Sequence, residues 1–212
     1  MTPDQLADRW PLPDHEDDRD ALLAAYGDPD RGYHNGLHLT EVLDRIDELT
    51  GSAAVADPGD PLDPTTLRLA AWFHDGVYDG LRGDEDRSAL WAEDSLADTP
   101  HAAEVARLVR LTEHHDPAPD DLIGQVLCDA DLAILAASPE RYAAYVAGVR
   151  RDYAHVSDAD FAVGRAAVLR DLGARDRLFH TAYARERWEP AARANLAAEL
   201  ARLGRGPADG QV

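Results

Sequence analysis

The sequence contains no lysine; all 21 of its basic residues are arginine. That excludes a Schiff-base lysine and the lysine of a phosphate-binding P-loop. A single cysteine, Cys128, excludes an intrachain disulfide and a cysteine-built zinc site. No run approaches the roughly 18 apolar residues of a membrane span. The segment from Met1 to Trp10 is polar and acidic and lacks the apolar core of a signal peptide. The expected location is therefore cytoplasmic. Positive charge is scarce: 41 acidic residues leave a formal net charge of -20. A surface that negative gains nothing from nucleic acid or an anionic membrane. A small anionic ligand stays compatible with it, provided a metal or an arginine cluster holds the ligand locally.

What is present is the composition of a folded domain. The chain has 212 residues, 45% hydrophobic and 29% charged, which suits one domain with a full core. We expect that domain over residues 1–203 and a flexible tail over 204–212. Helical periodicity dominates. Leu39, Val42, Leu43, Ile46 and Leu49 form one buried stripe. Similar stripes run through Leu67, Ala70 and Ala71, through Val105, Leu108 and Val109, and through Phe161, Val168 and Leu172. Asp63-Pro64, Thr99-Pro100 and Ser138-Pro139 are helix-start signals, and Ser157 with Asp160 forms a loose capping box. Gly51, Gly76, Gly173 and Gly204 read as stops, Pro190 as a kink or a helix start, and Gly51–Asp63 as a loop. The expectation is an all-α bundle of about eight to ten helices of ordinary length.

Some polar residues fall where apolar ones are expected. His38 lies one turn before Val42, on the edge of the apolar arc. His74 and Asp75 directly follow the run Ala70-Ala71-Trp72-Phe73. With Leu127 at zero, Asp131 falls at about 40° on the helical wheel, inside the stripe that carries Ile134. A carboxylate buried there must be protonated, paired or bound to a cation, because a bare buried charge costs several kcal/mol. Taken singly, each residue has a plain alternative: a satisfied core histidine, or an aspartate that pairs with arginine or caps a helix. Together, two imidazoles and two carboxylates from three helices suit a divalent first-row metal.

The order of these residues, and the motifs around them, resemble the HD-domain superfamily of metal-dependent phosphohydrolases. Arg31-Gly32-Tyr33-His34-Asn35-Gly36-Leu37-His38 is similar to an R-x-Y-H-N-x-x-H signature. Phe73-His74-Asp75-Gly76-Val77-Tyr78-Asp79 is similar to F-H-D-x-V-Y-D. Asp84-Glu85-Asp86-Arg87-Ser88-Ala89 is similar to N-E-x-x-S-A, with aspartate in the asparagine position, and the stretch Phe161–Leu169 also fits. The resemblance extends from about Tyr26 to Leu203, and the motifs together resemble a group of small bacterial predicted HD phosphohydrolases. It implies a helical bundle with a metal site between central helices, and His38, His74, Asp75 and Asp131 as metal ligands. It does not separate Mn, Mg, Ni, Co, Zn and Fe, and a second metal stays open.

Around that set the sequence offers a shell. Arg31 is the candidate phosphate clamp, because its guanidinium is a planar two-pronged donor; its alternative is a surface arginine. Tyr33, His34 and Asn35 lie where the chain enters a helix and are candidate substrate contacts. Asp79 and Glu85 are candidate general acid–base groups, with a turn residue and a first-turn acid as the alternatives. By angle His115 lies toward the site and His114 away from it; His115 is a substrate contact or a helix-end residue. The expected activity is hydrolysis of a phosphate ester or anhydride, with nucleotides the commonest substrates in the resembled family. The alternatives are an HD-type di-iron oxygenase using extra histidines, and a non-catalytic helical module that keeps the pocket for ligand sensing.

Overall fold

A computed structural model describes residues 3–52 and 62–204. Most of the expected loop (53–61) and of the expected tail (205–212) therefore lies outside the described residues. Among the described residues there are eleven α-helices, one short 3-10 segment and no strand, so the fold is all-α. The helices are α1 Pro3–Ala7, α2 Glu16–Tyr26, α3 Gly36–Thr50, α4 Pro64–Phe73, α5 Asp84–Ser95, α6 Ala102–Leu111, α7 Leu122–Leu132, α8 Pro139–Asp152, α9 Asp158–Ala174, α10 Ala182–Arg187 and α11 Glu189–Leu203. The 3-10 segment Ala133–Ala136 joins α7 to α8. The count exceeds the expectation because α1 and α10 are too short to show a periodic stripe. No single described helix is long and apolar enough to cross a membrane.

Caps set most helix starts. Asp63, Ser138 and Ser157 accept main-chain N–H groups at the starts of α4, α8 and α9. Thr99 does not begin α6: its hydroxyl accepts the N–H of His101, and the helix starts two residues later than Pro100 suggests. Gly173 does not end α9, which runs one residue further. Pro190 occupies the first turn of α11, where no hydrogen bond is lost.

The centre of the core is α4. Leu67, Leu69, Ala70, Ala71, Trp72 and Phe73 are all fully buried, and each large side chain contributes about 1.5–3 kcal/mol by leaving water. Helices α3, α5, α6 and α7 pack on it, and α3 also packs along α7. The C-terminal end of α4 is thus enclosed, with α3 and α7 beside it. Trp10 closes one end of this core, its ring edge-on to Trp72 at 5.2 Å.

The loop before α3 lies tight against α8. A Cβ on Gly32 would overlap the Gly148 carbonyl and come within 2.8 Å of the Arg151 Cβ. Only two glycines allow this approach of backbone to backbone. Gly32→Ala is expected to destabilise the protein by about 1–3 kcal/mol through overpacking. Urea unfolding at unchanged slope measures it; a midpoint equal to that of the parent protein would show that the contact is not tight.

Candidate metal centre

Local chemistry places each side chain of the centre. Asn35 caps α3: its side-chain oxygen accepts the Leu37 N–H at 3.0 Å, and its amide donates to Gly32 O at 3.0 Å. This starts the helix two residues before His38 and points that imidazole inward, 2% exposed. Helix α4 ends at Phe73, and His74 N–H still donates to Ala70 O at 3.0 Å. The next residue, Asp75, lies at the turn. His74 Nδ1 lies 2.7 Å from Ala71 O. A carbonyl only accepts, so Nδ1 carries the proton and Nε2 presents its lone pair to the centre. Asp131 comes from the last turn of α7.

The four groups converge. His38 Nε2 lies 3.0 Å from His74 Nε2, and each of these nitrogens lies 3.1 Å from Asp75 Oδ2. Asp131 Oδ1 lies 3.2 Å from His38 Nε2 and 3.6 Å from His74 Nε2. Ligands held at about 2.1 Å from one cation sit about 3.0–3.4 Å from each other; the separations among His38, His74 and Asp75 and the one from His38 to Asp131 fall in that range, and His74–Asp131 is slightly longer. Asp75 Oδ2 is buried and accepts no hydrogen bond in a usable direction, although two nitrogens are within 3.1 Å of it. An orphaned buried carboxylate oxygen is costly unless a cation meets it. His38, His74 and Asp75 form a group that could hold a metal ion, and Asp131 adds a fourth donor. Among the described residues no second group of three such side chains comes together.

Burial alone depresses an imidazole and raises a carboxyl; here the facing charges overrule it. Despite burial, His38 is raised by Asp131 and Asp75, and His74 is raised further, chiefly by the charge of Asp75. Despite the same burial, Asp75 is held well below the usual carboxylate range, first by His74. Asp131 is held down by His115, His38 and His74. In metal-free protein the imidazole contribution to stability is complete below about pH 6.5 and is lost as pH rises through the raised values. The carboxylate contribution is present above about pH 4 and is lost as pH falls through the depressed values. A bound cation reverses the alkaline limb, because imidazole must shed its proton to bind. Urea midpoints with chelator and with metal should therefore diverge as pH rises past neutral; parallel curves would refute the cluster as a cation site.

Further side chains orient these four. His115 Nε2 donates to the other oxygen of Asp131 at 2.7 Å. His115 is the one described non-glycine residue with positive φ, at 51°, a strained backbone consistent with a side chain held in place. His114 is exposed. His34 Nδ1 donates to Asp152 Oδ2 at 2.8 Å, and its ring stacks on Tyr78 at 3.6 Å. Asp152 also accepts from the main-chain N–H groups of Gly32 and Tyr33. Its carboxyl is lowered despite burial, His34 being the largest opposing cause. The ring of Tyr33 packs 4.6 Å from that of His38, and its hydroxyl is buried without a hydrogen-bond partner.

A cleft of about 860 Å³ opens beside the centre, and Asp131, His115, His34, Tyr33 and Glu85 line it. Glu85 is half-buried, and burial, with smaller help from Asp75 and Glu113, raises its carboxyl.

Three expected site residues stand elsewhere. Arg31 is buried, and its guanidinium donates to His34 O, Asp75 O and Gly76 O. Tied by main-chain carbonyls, it is a strut between the α3 loop and the turn at Asp75 rather than a phosphate clamp. Asn35 is a helix cap, and its amide groups are engaged within the loop. Asp79 points outward and pairs with Arg87 at 2.6 Å, so it is not at the cleft. Asp84 explains that displacement: its carboxylate accepts the N–H groups of Asp79 and Leu81, so an acceptor suffices where the resembled pattern has asparagine. Asp152 was not visible beforehand. Its contact with His34 spans 118 residues, and no local pattern announces it.

No known protein family, curated protein or solved structure matches the chain.

Proposed function

We propose that this chain is a metal-dependent phosphohydrolase that cleaves a phosphate ester or anhydride, using one divalent cation held by His38, His74, Asp75 and Asp131. One observation carries the reading: a buried carboxylate oxygen of Asp75 without a hydrogen-bond partner meets two imidazoles, and Asp131 approaches those imidazoles from the wall of a large cleft. The motif resemblance supplies the reaction class. Imidazole content favours a first-row transition ion over magnesium. Such an ion, when bound, acidifies a water and neutralises a phosphoryl oxygen.

Hydrolysis forms a phosphorus–oxygen bond from water and breaks the one to the leaving group, which departs with a proton. The chain supplies groups for each need. His115 holds Asp131 through the oxygen turned away from His38, fixing one donor of the set. His34, oriented by Asp152, lines the cleft and can give a proton to the leaving oxygen. Glu85, raised by burial, can hold a proton at the cleft wall. The Tyr33 hydroxyl is free to donate to a phosphoryl oxygen.

Protein purified without chelator should carry about one metal per chain by elemental analysis. It should release inorganic phosphate from simple phosphoesters, and Asp131→Asn should abolish that release. Two irons per chain with oxygen uptake would overturn the reading in favour of an oxygenase. Metal without any turnover across phosphoesters would overturn it in favour of a binding module.

A further inference from the structure

Two walls of the cleft that opens beside the metal centre are largely apolar. On one side stand Leu135 of the 3-10 segment with Tyr145 and Val149 of α8; on the other stand Phe161, Val168 and Leu172 of α9. These three α9 residues, with Gly164 between them, recur at helical spacing and make one face. The neighbouring face, with Ala166 and Leu169 buried, packs on α11. The cleft face is less covered: Phe161 and Leu172 are partly buried, and Val168 is 51% exposed.

The charges lining the cleft exclude a polyanion. Arg165 is neutralised by Glu199, to which it donates at 2.9 and 3.1 Å. Arg175 pairs with Asp171 at 3.2 Å. Glu85, Glu113 and Asp160 add three carboxyl groups to the lining, none of them paired with an arginine among the described residues, on a chain of net charge -20. No arginine there has an uncommitted charge for a second or third phosphoryl group, and the carboxylates repel one.

Resting on the phosphohydrolase reading, we propose that the substrate is a phosphomonoester of an apolar, ring-bearing alcohol, with its single phosphoryl group at the metal centre and its body between α8 and α9. A cleft of about 860 Å³ lies in the range that encloses a drug-sized body, about 300–1,000 Å³. Tyr145 and Phe161 bring aromatic rings to the cleft wall, held there by the guanidinium groups of Arg165 and Arg150 at 5.0 and 4.9 Å from the ring centres, and desolvation of the half-exposed Val168 adds to binding.

The test uses full-length, metal-loaded protein and calorimetric titration with (1-naphthyl)methylphosphonate, whose carbon–phosphorus bond is not cleaved. Methylphosphonate is the same head group without a body, and the β,γ-methylene analogue of ATP is a nucleotide with three phosphoryl groups. The naphthyl compound should bind at least about tenfold tighter than either. Gly164 lies on the cleft face, and a Cβ there meets nothing within 4 Å. Gly164→Phe therefore starts its side chain in open space on the cleft face, and should reduce naphthyl binding to the methylphosphonate level with metal content unchanged. Gly164→Ala should leave it intact.

The proposal is overturned if the naphthyl compound binds no tighter than methylphosphonate, if the ATP analogue binds tighter, or if Gly164→Phe changes nothing. Binding of 1-naphthol to chelator-treated protein reads the cleft alone. If that binding is present and sensitive to Gly164→Phe while no phosphoester is hydrolysed, the hydrolase reading fails and the apolar cleft stands. If phosphoesters are hydrolysed without any preference for the naphthyl body, the reverse holds.

Discussion

Replacing His74 by alanine should abolish stoichiometric metal binding. The ring is locked by its Nδ1–H bond to Ala71 O at 2.7 Å, so Nε2 has one place to be, within 3.0–3.6 Å of the three other donors. No neighbouring imidazole can replace it: His34 is held by Asp152 and His115 by Asp131. Losing a partner one bond removed from a metal costs about 10–100-fold in affinity; losing a donor should cost more. His115→Ala supplies the milder comparison, and should fall in that smaller range. The second readout is stability. A ligand at a hundred times its Kd stabilises a protein by about 2.7 kcal/mol, so added metal should raise the urea midpoint of the parent and not of His74→Ala. Full metal content in the variant, by elemental analysis after gel filtration, would end the proposed donor set.

The second large effect lies in the core. Arg165 and Glu199 are both buried and joined by two hydrogen bonds, and Tyr142 donates to the same carboxylate at 2.6 Å. The group ties α8, α9 and α11 together. Arg165→Met leaves the Glu199 carboxylate buried without its cation, which should cost about 3–5 kcal/mol. That is a large part of a typical total of about 5–15 kcal/mol. Removing both charges is different, because apolar residues of similar size often replace a buried pair at little cost. Arg165→Met with Glu199→Leu should therefore recover most of the loss. Urea unfolding of the two single variants and the double variant forms the cycle. If Arg165→Met is as stable as the parent, or the double variant is as unstable as the single ones, the pair does not act as described.

Much of the fold was legible because burial leaves a periodic mark. The stripe Leu39, Val42, Leu43, Ile46 and Leu49 is the buried face of α3, and the caps at Asp63, Ser138 and Ser157 begin the helices they announce. The same logic singled out His38, His74, Asp75 and Asp131, polar residues on or beside apolar stripes, which the structure brings together. Helices too short to repeat a pattern, α1 and α10, left no mark. Arg31, Asn35 and Asp79 stand apart from the cleft for a common reason: each has its hydrogen bonds within the protein. Asp129 shows the converse. It is fully buried in α7 yet serves the main chain, accepting the N–H groups of His180 and Thr181 at 2.7 Å.

The amino-acid order alone determined where helices form and which of their faces turn inward, because both follow from interactions within a few residues. The tertiary structure alone decided which inward polar groups are satisfied and which are left to meet a ligand. Arg31 reaches the carbonyls of Asp75 and Gly76 across more than forty residues, whereas Asp75 Oδ2 is left without a well-directed hydrogen bond between two imidazoles. A hydrogen bond is settled by distance and direction between groups that the chain brings together only on folding, and spacing along the sequence carries neither.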